Sequence, residues 1–139
     1  MNKVMILASF SFAKEMVEAK KLLTKKGFAV IMEEDAEIYA ANPHHKETKE
    51  GELHVAGAKD VMRSCLDKVA SSDQVLVLNH DKKGIKGYLG TSVLMELGVA
   101  YYLKKKITLL NQYESTAPYA LELDMMKPTI LHGDVTKFQ

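Results

Sequence analysis

The segment Ser72-Asp73-Gln74-Val75-Leu76-Val77-Leu78 ends in four consecutive aliphatic residues with no polar alternation. A strand with one solvated face alternates apolar and polar side chains, whereas a run apolar at every position marks a strand covered by helices on both faces of a parallel sheet. Immediately upstream, Ala58, Val61, Met62, Cys65, Leu66 and Val69 recur at helical spacing, and Ser71 and Ser72 supply the turn between that helix and the strand.

The same alternation continues towards both ends. Val4 to Ala8 reads as a first strand ending at Ser9, and Phe12, Met16, Ala19 and Leu23 then mark one face of a helix. Ser11 is placed to cap this helix, and Gly27 to close it in the left-handed conformation. Phe28 to Met32 is a second strand. From Glu33 to Glu52 the pattern dissolves into acids, lysines, Asn42, Pro43 and paired histidines, predicting a surface excursion, a lid or ill-ordered loop, with a short helical piece at most.

Downstream, the chain passes from Asn79 to Gly90, enters an apolar helix, and emerges as a fourth strand at Ile107 to Leu110. Lys104 to Lys106 at the end of that helix read as a solvated, dipole-complementing terminus. A short helix near Tyr119 to Met126 and a last strand at Pro128 to Leu131 complete the order. Strands alternating with helices predict an α/β three-layer sandwich with a five-stranded parallel sheet, doubly wound and flavodoxin-like, with residues 1–139 forming a single domain.

Composition narrows the function classes. Nineteen basic residues nearly balance eighteen acidic ones, so there is no basic field of the kind that nucleic-acid binding usually leaves in a composition. The amino-terminal apolar run is too short for a signal peptide, and no later stretch approaches the ~18 uncharged residues of a membrane span. Cys65, the single cysteine, falls on an apolar helix face and reads as a small buried hydrophobe. The expectation is a cytoplasmic protein that engages neither membrane nor nucleic acid. The histidines lack metal-ligand spacing, so no metal is expected, and no cofactor is expected either.

In doubly wound folds ligands bind beyond the carboxyl ends of the strands, where strand order reverses. That places Ser9, Phe10, Asn79, Gly90, Thr91, Ser92 and Glu96 around one crevice. The loop from Gly84 to Ser92 lacks the Gly-Lys-Ser/Thr ending of a phosphate loop, and no Gly-x-Gly-x-x-Gly follows the first strand, which disfavours ATP hydrolysis and dinucleotide binding. Twelve of the thirteen residues from Thr91 to Leu103 are uncharged, and the exception is Glu96. An acid in so apolar a segment is either a functional carboxylate or a first-turn acid favoured by the helix dipole. As a functional group it would attack an electrophilic carbon to form an ester. Asp73, at the start of the third strand, is a second acid whose plainer role is in a turn or at a helix end.

Leu7-Ala8-Ser9, the stretch from Ser72 to Leu78, and Gly90-Thr91-Ser92-Val93-Leu94-Met95-Glu96-Leu97-Gly98-Val99-Ala100 together resemble the nucleoside 2-deoxyribosyltransferase family and its relatives that hydrolyse deoxynucleoside monophosphates. The most specific element is Glu-hydrophobic-Gly-x-Ala. The resemblance implies a flavodoxin-like fold and a homodimer or higher homo-oligomer. It further implies a small-molecule nucleoside or nucleotide substrate, with Glu96 as nucleophile and Asp73 as a supporting acid near the base. Ser9, Thr91 and Ser92 would contact sugar or phosphate. The chain departs from the family at Gly90, where an aspartate or serine usually binds the sugar hydroxyl or phosphate. It departs again at Ala8, usually glycine, and at Phe10 or Phe12, which replace an aromatic hydroxyl. These departures leave open a non-catalytic nucleotide-binding or sensing module of the same fold.

Overall fold

The computed structural model describes residues 2–33, 36–41 and 60–139. Within them lies one five-stranded parallel sheet in the order β2-β1-β3-β4-β5, with strands β1 Lys3–Leu7, β2 Ala29–Ile31, β3 Gln74–Val77, β4 Lys106–Leu109 and β5 Thr129–Ile130. The register pairs Val4 with Gln74 and Leu7 with Val77, then Gln74 with Lys106 and Val77 with Leu109. The fold is α/β, doubly wound and flavodoxin-like, as the uninterrupted apolar run of β3 requires.

The helices are α1 Ala13–Lys25, α2 Ala36–Ala41, α3 Val61–Ser71, α4 Thr91–Tyr102 and α5 Ala120–Met126. Successive side chains of a strand point to opposite faces, and the central strands feed two separate cores. Met5, Leu7, Val75, Val77, Ile107 and Leu109 pack with residues of α3, α4 and α5 on one face. Val4, Ile6, Leu76 and Leu78 pack against Met16, Ala19 and Leu23 of α1 and against Phe138 on the other. Lys26 fastens that second face by donating from Nζ to the Phe138 and Thr136 carbonyls at 2.6 and 2.8 Å.

Local chemistry modifies several boundaries. Gly27 closes α1 at φ +97°, as expected. Ser11 does not cap α1. A 3-10 turn, Phe10–Phe12, comes first, with Ser9 as its cap, accepting from the Ser11 N–H at 3.3 Å. Helix α2 is the short helical piece anticipated in the polar excursion. The remainder of that excursion, residues 34–35 and 42–52, lies outside the described residues, as does Ala58. Asp60 caps α3, accepting from the Arg63 N–H at 2.9 Å. No helix among the described residues is long and apolar enough to cross a membrane.

Candidate functional site

Strand order reverses between β1 and β3, and a cavity of about 950 Å³ opens there beyond the carboxyl end of β1. Its floor is the end of β1 running through Ala8 and Ser9 to Phe10; one wall is the start of α4, from Gly90 to Glu96; the other combines Glu33, just after β2, with the amino-terminal half of α3. Five of the crevice residues expected from sequence besides Glu96 therefore meet: Ser9, Phe10, Gly90, Thr91 and Ser92.

Helix α4 explains how Glu96 comes to be there. Val93, Leu97 and Ala100 are buried in the core, anchoring the helix against the sheet. Fully burying a side chain such as Leu97 contributes roughly 1.5–3 kcal/mol, enough in aggregate to hold an acid beside that stripe. Glu96 is only 7% exposed yet lines the cavity. Because α4 begins at Thr91, Glu96 is past the first turn, and the helix dipole that would favour a first-turn acid does not account for it.

Electrostatics at this carboxyl oppose ionisation. Burial, and secondarily the charge of Glu33, push Glu96 up from 4.5 to about 7. Glu33 is itself 7% exposed and lines the same cavity. It accepts a hydrogen bond from the Cys65 thiol at 2.8 Å and lies 3.9 Å from the Lys68 ammonium. Burial pushes the Cys65 thiol upward, reinforced by the bond to Glu33. Cys65 is thus a protonated donor on the cavity wall, not the inert core hydrophobe that its spacing suggested. The start of α3 lines the cavity, so Met62 is 40% exposed while Val69, two turns further on along the same helix face, is fully buried.

The opposite wall is rich in donors. No side chain caps α4, because its cap is Gly90, so the positive helix terminus faces the cavity together with the exposed hydroxyls of Thr91 and Ser92. Lys82 donates from Nζ to Ser9 Oγ at 3.0 Å and stands 5.1 Å above the Tyr88 ring, itself part of the lining. Sequence reasoning missed Glu33, Lys82 and Tyr88. Glu33 lay at the edge of a polar run that reads as loop, and Lys82 reaches Ser9, and Tyr88 the cavity lining, only through the fold.

Two expected site residues do not join this cavity. Asp73 stands at the amino end of β3, opposite the cavity, where its Oδ2 accepts from the Lys3 N–H at 2.7 Å and its own N–H bonds the Lys3 carbonyl at 2.8 Å. A strand reaches the two ends of the sheet with its two termini, so an acid at its start cannot support chemistry beyond its finish; Asp73 fastens β1 to β3. Asn79 is 1% exposed and fully used: its amide donates to the Asn111 carbonyl at 2.7 Å, and its Oδ1 accepts from the Asn111 N–H at 2.9 Å. Asn111 Nδ2 returns a bond to the Asn79 carbonyl at 3.1 Å. This reciprocal pair staples the exits of β3 and β4 and is structural. In the loop between, Gly87 has φ +60°, and a Cβ there would come within 2.3 Å of the Gln112 carbonyl oxygen. That glycine serves a close backbone approach, not a phosphate.

Fold and site together define a flavodoxin-like domain with an acid-bearing cavity at its topological switch point. No protein-family model matches the chain, and neither a curated protein nor a solved structure matches it.

Proposed function

We propose that this protein cleaves or transfers the N-glycosidic bond of deoxynucleosides or deoxynucleoside monophosphates, with Glu96 as the nucleophile. The observation that carries this reading is a carboxyl buried against the core, reached by no hydrogen bond among the described residues, and facing a cavity large enough for a small molecule. The Glu-hydrophobic-Gly-x-Ala resemblance adds the reaction class. One Glu96 oxygen attacks the anomeric carbon, and the bond to the base breaks with its electron pair going to the base nitrogen, which takes a proton from solvent. The resulting glycosyl ester is resolved by water, giving hydrolysis, or by a second base, giving transfer. A carboxyl that ionises near neutrality is a more basic nucleophile than an ordinary glutamate, and its reactive fraction grows as pH rises through about 7.

Incubating the protein with deoxynucleosides and their monophosphates, with and without an acceptor base, and separating the products by chromatography tests this reading. Glu96-dependent release of base supports it; equal release by wild type and Glu96→Ala refutes it.

The absence of a side chain at Gly90, at the cavity mouth, favours a second reading in which the site binds a nucleotide without turning it over. Calorimetric binding with no Glu96-dependent product distinguishes that case. The resemblance also leads us to propose a homodimer or higher homo-oligomer. Tyr102, 83% exposed, and Met95, 53% exposed, stand one heptad apart on the outer face of α4 as candidates for its interface. Sedimentation at micromolar concentration tests this, and a monomer there would contradict it.

A further inference from the structure

We infer that Glu33 is the base-recognising residue of this cavity and that it selects nucleobases carrying an exocyclic amino group. The inference rests on the glycosidic reading of Glu96 and adds to it the substrate class.

Three observations lead to it. Glu33 is 93% buried by its 7% exposure, yet it lines the cavity. Its Oε2 is engaged by the Cys65 thiol at 2.8 Å and by Lys68 at 3.9 Å, whereas no hydrogen bond reaches Oε1 among the described residues. A carboxylate is an acceptor only, so an oxygen with no hydrogen bond from the described residues can accept from an N–H or O–H in the cavity. The cavity lining also includes apolar and sulfur-bearing side chains, Val61 and Met62 from α3 and Met16 from α1. Such side chains suit the faces of a flat aromatic ring.

Topology fixes the direction. In the order β2-β1-β3, Glu33 follows β2 while Gly90, Thr91 and Ser92 belong to the connection after β3. The acceptor wall and the donor wall are therefore on opposite sides of β1, roughly 10 Å apart at ordinary strand spacing. The oxygen-rich end of a nucleoside or nucleotide, its 5′-hydroxyl or phosphate, complements the α4 terminus, Ser9 and Lys82. Its base then extends towards Glu33. An amino group at the base edge satisfies Oε1, while a carbonyl in the same place opposes two lone-pair-bearing oxygens and leaves both unsatisfied.

The decisive comparison pairs substrates differing at one group: deoxyadenosine with deoxyinosine and deoxycytidine with deoxyuridine, each with and without a 5′-phosphate. The expected result is a kcat/KM at least tenfold higher for the amino member of each pair, the usual consequence of leaving a buried acceptor unpaired. Glu33→Gln, whose amide donates as well as accepts, should level or reverse that preference. Equal rates within each pair for the wild type overturn the inference whether or not the variant folds, as does an unchanged preference in a folded Glu33→Gln.

If no substrate releases base in a Glu96-dependent way, the glycosidic reading fails instead. Calorimetric titration of the same pairs then decides base recognition separately, tighter binding of the amino members supporting it and equal or absent binding overturning it.

Discussion

Replacing Glu96 by glutamine should stabilise the protein, and should do so only above acid pH. The carboxyl is raised from 4.5 to about 7 in the folded state. A group whose folded value exceeds its unfolded value contributes nothing adverse below pH 4.5, where both states are protonated. Between pH 4.5 and about 7 the unfolded chain releases this proton while the folded state keeps it, so stability falls across that window and levels off once the buried acid also ionises. A displacement of about 2.5 units at 1.36 kcal/mol each sets the full cost above pH 8 at about 3 kcal/mol. Glutamine avoids that cost but buries an amide with no ready partner, which takes back roughly 1 kcal/mol. The net expectation is a gain of about 2 kcal/mol for Glu96→Gln at pH 8, turning into a loss of about 1 kcal/mol at pH 4.5, where only the amide penalty remains. Urea unfolding of both proteins between pH 4.5 and 8.5 measures the difference directly, and titrations common to both cancel. Parallel stability curves, or a glutamine variant less stable at pH 8, would show that Glu96 carries no penalty and refute the electrostatic account of the site.

Further outcomes follow from other contacts. Asn79→Ala, which removes the side-chain partners of the Asn111 N–H and carbonyl, should cost about 2–4 kcal/mol in denaturant unfolding, the sum of two half-buried groups losing their hydrogen bonds. Asp73→Ala should lower stability by about 1 kcal/mol and leave base release at the wild-type rate, since among the described residues its carboxylate accepts a hydrogen bond from the Lys3 N–H alone. Gly90 has φ −79°, and a Cβ there would meet nothing closer than the Tyr88 ring at 3.6 Å. Gly90→Ser should therefore fold normally and gain a few tenths of a kcal/mol as a helix cap. It should also raise base release by placing a hydroxyl at the cavity mouth; unchanged or lower release would show that the hydroxyl does not meet the substrate there.

The order of strands and helices was readable because β3 and the periodic faces of α1 and α4 record burial directly in residue type. Helix α3 shows where that record blurs. Met62 and Cys65 continue the apolar spacing of Val69, yet they face a cavity, and hydrophobic periodicity does not distinguish a packed core from a lined hollow. Glu96 was legible as an acid in the wrong company. Glu33 was not, because its burial depends on Cys65 and Lys68, more than thirty residues away in the chain. Asp73 was drawn towards the site by resemblance, although its place at the first rather than the last residues of its strand puts it at the other end of the sheet. The Asn79–Asn111 staple was hidden for a related reason: each asparagine reads as loop polarity until the adjacency of β3 and β4 brings the two exits together.

The proposed glycosidic activity requires Glu96 to form a covalent bond to the sugar. Rapid acid quench of the protein with a reactive deoxynucleoside, followed by peptide mass spectrometry, tests that bond most directly. One deoxyribosyl group on the peptide containing Glu96, absent from Glu96→Gln, is the predicted result. Base release that proceeds with no adduct and survives in Glu96→Gln would contradict it.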